Sequence, residues 1–125
     1  MNKLLIVLFL TIFSMGCLAK RPSPKDVPDI SFNGVRYSVV HWAYLNGQKH
    51  NGGYVEALEE STNKKIWGKR IYKTDYGWFF KIEEDAVDVF ITLTQVNESE
   101  NALIVTNEKN EKYSLNLKTQ KVTKL

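Results

Sequence analysis

From Ile30 onward the apolar residues recur mostly at every second position, and that period points the chain to strands. Val35, Tyr37, Val39, His41 and Ala43 alternate with Arg36, Ser38, Val40, Trp42 and Tyr44. Val87, Val89, Ile91 and Leu93 alternate with Asp88, Phe90, Thr92 and Thr94, and Tyr113, Leu115 and Leu117 with Ser114, Asn116 and Lys118. Alternation of this kind sends one set of side chains to each face of a strand. Turn-forming pairs separate the runs: Asn33-Gly34, Asn46-Gly47, Asn51-Gly52-Gly53, Thr62-Asn63, Tyr76-Gly77, Asn97 to Asn101 and Lys109-Asn110. Asn-Gly suits hairpins because both residues tolerate positive φ. The spacing predicts strands over 30–32, 35–45, 53–59, 65–73, 78–82, 87–96, 102–107, 111–117 and 120–124. Tyr54 to Glu60 could compete as a helix through Val55, Leu58 and Glu59, but it is too short to stand alone as one. Asp85-Ala86 could close a single turn. The expected fold is all-β: a single small antiparallel meander of consecutively paired strands. Whether it stays a curved sheet or curls toward a partial propeller or a barrel is left open by the pattern.

The start of the chain has a different character. Lys3 precedes an apolar run from Leu4 to Phe13 interrupted at Thr11, and Ser14-Met15-Gly16-Cys17-Leu18-Ala19 follows. A basic start, a short apolar stretch and small residues at the end are the parts of a secretory signal peptide. The run is shorter than the roughly 20 residues a spanning helix needs. Two cleavage sites are open. Gly16-Cys17 resembles a bacterial lipoprotein box, in which Cys17 is acylated and becomes the first residue; Ser14 and Met15 depart from that pattern. The other site follows Ala19. With Cys17 the sole cysteine, the β domain has no disulfide to staple it. Residues 20–29 carry Pro22, Pro24 and Pro28 and read as an extended, disordered tether, leaving 30–125 as the domain. The expected location is outside the cytoplasm, in the periplasm or at the outer membrane, lipid-anchored if Cys17 is modified.

Charge narrows the partners. The chain has 17 Lys and Arg and 14 Asp and Glu, and removing Lys3 with the signal leaves 16 − 14 = +2. Nucleic-acid binders are more basic than this and gather the charge on one face, so no nucleic-acid partner is expected. Membrane contact is expected through the lipid anchor only.

Two stretches resemble each other. Tyr54-Val-Glu-Ala-Leu-Glu-Glu-Ser-Thr-Asn-Lys-Lys-Ile-Trp67 and Tyr113-Ser-Leu-Asn-Leu-Lys-Thr-Gln-Lys-Val122 each place a polar turn with Thr and Lys between two strands. The first is similar to the repeat of the quinoprotein (PQQ-dependent dehydrogenase) β-propellers, with Ala57-Leu58, Thr62-Asn63-Lys64 and Trp67 at the matching places. The resemblance implies a hairpin in which Asn63 takes positive φ and Trp67 packs beneath a neighbouring strand. A propeller needs typically 4–8 blades, and this chain has room for two at most. No residues match those that hold quinone, calcium or the catalytic carboxylate. The hairpin carries over and the activity does not, and no cofactor is expected. In its overall pattern the chain also looks like small exported bacterial proteins of unknown function.

Candidate chemistry is sparse. His41 and His50 lack the spacing of a metal site. Glu83-Glu84-Asp85 with Asp88 lacks the alternating order of a calcium loop. Lys64, Lys65, Lys69, Arg70 and Lys73 interleave with Trp67 and Tyr72, a mixture that binds sugars or single strands but also describes an edge strand protected by lysines. Strict alternation places Lys65, Trp67, Lys69, Ile71 and Lys73 on one face. Trp42, Tyr44, Tyr76, Trp78, Phe79 and Phe80 are dense for so small a domain, and an outward set among them would mark a partner site. Ser38, Ser61 and Ser99 have no nucleophile context, and no catalytic residue is assigned. The candidate binding residues are therefore Tyr44, Trp67, Lys69, Arg70 and Trp78, with Cys17 the candidate lipidation site. The expected function is a non-enzymatic binding or scaffold module of the cell envelope with an envelope protein partner. A small-ligand or anionic-glycan binder is the alternative, and a degenerate quinoprotein-like fragment a further one.

Overall fold

The computed structural model describes residues 22–73 and 88–125. Eight strands form in chain order: β1 (Ile30–Phe32), β2 (Val35–Val39), β3 (Tyr54–Glu59), β4 (Lys65–Arg70), β5 (Ile91–Asn97), β6 (Ala102–Asn107), β7 (Lys112–Asn116) and β8 (Val122–Lys124). Consecutive strands pair antiparallel, as the turn spacing predicts, but in two sheets rather than one. The orders are β1-β2-β3-β4 and β5-β6-β7-β8, and neither sheet closes into a barrel. The Tyr54–Glu59 stretch is strand. The expected strand over 78–82 lies outside the described residues.

One core joins the sheets. Tyr37, Val55, Ala57 and Ile71 from the first meet Ile91, Leu103, Val105 and Leu115 from the second. The pairing register explains the selection. Tyr37 lies opposite Ala57, and Ala57 opposite Trp67. Leu103 lies opposite Leu115, and Leu115 opposite Val122. Residues in register share a face, so each sheet offers one apolar face to the other. Tyr72, just past β4, adds a bridge by stacking on Tyr113 with ring centroids 5.1 Å apart.

The alternating pattern over 35–45 does not produce one long strand. β2 ends at Val39, and Ala43–Asn46 forms a short 3-10 helix closed by Gly47 at φ 84°. Alternation continues through His41 and Ala43, and both are buried, but neither belongs to the core the two sheets share, and His41 meets Phe90. The tether is likewise not free of the body. Pro22 to Asp29 has no regular structure, yet Val27 packs against the core, Asp29 Oδ2 pairs with Arg36 Nε at 3.1 Å, and Lys25 O accepts a hydrogen bond from His41 Nε2 at 2.8 Å. Three separate contacts offset the entropy that a polar, proline-rich stretch keeps when it has none.

The two stretches that resemble each other in sequence form the same turn. In the first, Glu59 N donates to Lys64 O at 2.8 Å and Asn63 N to Glu59 O at 2.7 Å; in the second, Asn116 N donates to Lys121 O at 2.9 Å and Gln120 N to Asn116 O at 2.8 Å. Asn63 and Gln120 hold the equivalent left-handed position, at φ 62° and 61°. Thr62 Oγ1 accepts from Lys64 N at 3.4 Å and Thr119 Oγ1 from Lys121 N at 3.3 Å. The shared turn does not mean a shared buried face. Glu59 has the parity of Val55 and Ala57, which face the core, whereas Asn116 has the parity of Ser114, opposite to core-facing Leu115. Superposed through this turn, the two meanders bury opposite faces.

Gln is poorly suited to the left-handed region, which costs a residue with a Cβ about 1–2 kcal/mol. Gln120→Gly is therefore expected to raise stability by about 0.5–1 kcal/mol after its larger unfolded-state entropy is counted, read as a higher urea midpoint at unchanged slope. Asn63→Gly is expected to gain less, because Asn tolerates that conformation better. Equal gains at both positions would contradict this account.

Candidate functional site

The connection between β2 and β3, residues 40–53, is the long excursion of the first sheet. It leaves and re-enters as an extension of the ladder: Val40 N donates to Tyr54 O at 3.0 Å, and Gly52 N to His41 O at 2.9 Å. Between those bonds the chain turns on itself. Leu45 N donates to Trp42 O, Gly47 N to Tyr44 O and Gln48 N to Ala43 O, at 3.1–3.2 Å, while Tyr44 N donates to Asn51 Oδ1 at 3.0 Å. The returning arm is clamped from β4, where Arg70 donates from Nη1 to Gly52 O at 2.9 Å and from Nη2 to His50 O at 2.8 Å. Guanidinium donors bonded to carbonyls in this forked way fix position as well as adding energy.

Beneath the loop lies Phe90, only 2% exposed. His41 and Trp42 both meet its ring edge-on, with centroids 5.4 Å away. Phe90 is in turn fixed to the second sheet, where Glu108 N donates to Phe90 O at 3.0 Å and Phe90 N donates to Glu108 Oε2 at 3.3 Å. Tyr72 Oη donates to Val89 O at 2.6 Å. Burial pushes the Tyr72 phenol well above the ordinary tyrosine range, which keeps that donor protonated. On this base the tip of the loop presents apolar side chains outward: Trp42 is 43% exposed, Tyr44 66% and Leu45 81%.

The candidate binding residues are distributed rather than assembled. Tyr44 stands at the exposed tip. Trp67 is half-buried, its ring 6.0 Å from Tyr37 on the core side. Lys69, half-buried, pairs with Val55 on that same side of β4. Arg70 points to the opposite side and is the loop clamp. The four do not converge on one surface. Trp78 and Cys17 lie outside the described residues, as do Tyr76, Phe79, Phe80 and the Glu83-Glu84-Asp85 run.

Strict alternation also misplaced Lys65. Ala57 pairs with Trp67 and Leu58 with Lys65, so Ile66 is an extra residue. This β-bulge turns Lys65 away from Trp67 and onto the face of Gly68 and Arg70. There Lys65 Nζ lies 5.8 Å and the Arg70 guanidinium 5.9 Å from the Tyr54 ring centre, and Lys65 also pairs with Glu56 at 3.5 Å. The basic-aromatic run thus folds into self-contained pairs along an edge strand. The two histidines lie apart in role: His41 holds the tether, and the His50 carbonyl receives Arg70. Asp88 is buried at the start of the second half.

Two features of this site have no sequence-level signature of their own. Leu45 falls inside an alternating run, and its exposure follows from the 3-10 turn. Arg70 reads as one more surface cation, and its clamp depends on a contact 18 residues away. The triplet Asn51-Gly52-Gly53 is the available signal, because it announces a tight return that some side chain must hold.

The outer face of the other sheet carries a depression of about 300 Å³ lined by Glu100, Ala102, Ser114, Asn116, Thr119, Lys121 and Thr123. It is mostly polar and broadly open, with Ala102 as its one apolar residue, unlike the predominantly apolar lining of small-molecule sites. No family model matches the chain and no curated protein matches it.

Proposed function

We propose that this chain is an exported binding module of the cell envelope, held at a membrane by acylated Cys17, and that it acts by display rather than by turnover. The supporting observation is the loop at 40–53. A turn whose backbone bonds are internally closed, clamped by Arg70 and seated on Phe90, holds Tyr44 and Leu45 out in solvent. Exposing large apolar side chains on a rigid support costs solubility, and surfaces of this kind mark interaction sites. The basic start, short apolar run and Gly16-Cys17 junction support export and lipidation.

Growing cells with an alkyne fatty acid is expected to label the natural chain and not Cys17→Ala, and to place the labelled chain in the membrane fraction. A photo-crosslinking residue at Tyr44 is expected to form an adduct in intact cells that the same residue at Lys118 does not. An unlabelled natural chain overturns the lipid anchor, and equal crosslinking at Tyr44 and Lys118 overturns the display surface.

A further inference from the structure

Resting on that reading of Cys17, we infer that the partner of the Trp42–Leu45 turn is the bilayer surface itself, so that the lipid chain and the turn form a two-point attachment. Four observations converge. The first is where the tether meets the body. His41 Nε2 donates to Lys25 O at 2.8 Å, and His41 directly precedes Trp42. The N-terminal segment therefore joins the domain beside the exposed turn. Cys17 lies eight residues before Lys25. A fully extended chain covers at most about 3.3–3.6 Å per residue, so the anchor is held within about 28 Å of this contact. The turn therefore lies within the anchor's reach.

The second is backbone chemistry. An apolar medium penalises every unpaired N–H, less so where water still reaches it. In this turn the N–H groups of Tyr44, Leu45, Gly47 and Gln48 all have partners within the loop. The tip can therefore enter the headgroup boundary without unpaired donors at these positions. The third is side-chain type. Trp42, Tyr44 and Leu45, on one turn with buried Ala43 between the first two, are of the types favoured at that boundary, the aromatic pair because each has an apolar body and a polar edge.

The fourth is charge. Lys20, Arg21 and Lys25 fall between Cys17 and the pinned carbonyl with no acidic residue among them, and Lys49 is exposed on the loop. Basic residues next to an anchor are attracted by anionic headgroups close to the surface. A protein partner fits less well. Stable protein interfaces bury at least about 1,000 Å² in total, whereas this patch is three side chains on one tip.

The test uses a Leu45→Cys chain carrying an environment-sensitive fluorophore, with a Lys118→Cys chain as the comparison. In the acylated protein Cys17 is blocked, so the new thiol is the one that reacts. Each chain is reconstituted in phosphatidylcholine vesicles with and without phosphatidylglycerol, some carrying nitroxide quenchers on the acyl tails. The label at position 45 is expected to shift to the blue and to be quenched at least threefold more than the label at 118, more so with the anionic lipid. Equal, water-like emission at both positions overturns the proposal. A label at 45 that is shielded in cells but water-like on pure lipid also overturns it, in favour of a protein partner. A second arm separates this result from the fate of the lipid anchor. The same labelled chains with Cys17→Ala are tethered through an N-terminal hexahistidine to nickel-chelating lipid. The position-45 signal is expected there as well, whether or not Cys17 is acylated in cells.

Discussion

Gly52→Ala is expected to cost about 3–5 kcal/mol, enough to lower the melting temperature of a domain this size by some 15–30 °C. Two effects add. Gly52 sits at φ 75°, in the left-handed region that a side chain disfavours, and a Cβ there would overlap the Val89 carbonyl oxygen. That oxygen cannot give way without a consequence, because it accepts the Tyr72 hydroxyl at 2.6 Å, and Tyr72 stacks on Tyr113 of the second sheet. Gly47→Ala provides the comparison. Its φ is 84°, but nothing lies within 4 Å of the added atom, so only the conformational cost of about 1–2 kcal/mol applies. Thermal unfolding followed by circular dichroism measures both variants. Matching losses would show that the approach of the loop to Val89 contributes nothing, and the account of the loop as seated on residues 88–90 would be wrong.

Leu115→Ala is expected to destabilise by about 3–5 kcal/mol, the range for a fully enclosed leucine whose site cannot collapse. Leu115 is 0% exposed, lies between Leu103 and Val122 in register, and belongs to the cluster shared by both sheets. Leu93→Ala, also in the second sheet but 46% exposed, is expected to cost under about 1 kcal/mol by area. Chemical denaturation of the pair distinguishes a shared core from two independently stable sheets. If Leu115→Ala left the first sheet's unfolding midpoint unchanged while the second melted, one cooperative unit would be excluded.

Much of the strand layout was legible because alternation and Asn-Gly punctuation are local. β1 and β3 are found to within a residue, β6 as expected, and the Thr62 and Thr119 turns announce themselves through their own side chains. The partition into two sheets was not legible, since alternation states that a strand has two faces without stating which other strand covers them. The same gap explains Lys65. Ile66 is one residue out of phase in β4, nothing in the string Lys65-Ile66-Trp67 marks the bulge, and one residue of slip exchanges the faces. At the candidate site Tyr44 was identifiable by type. The tether's attachment was not, because His41 binds a backbone carbonyl, which leaves no trace in the identity of Lys25.

Since the same turn recurs while opposite faces are buried, superposing one meander on the other through this turn does not bring their buried faces into coincidence. Arg36, Glu56, Lys65 and Arg70 share one outer face with Leu58, and Ser114, Thr123 and Asn116 share the other with Ala102 and Ile104. A turn of this kind therefore fixes how a hairpin bends without choosing which of its sides is wetted. That choice rests with the residues that alternate on either side of the bend.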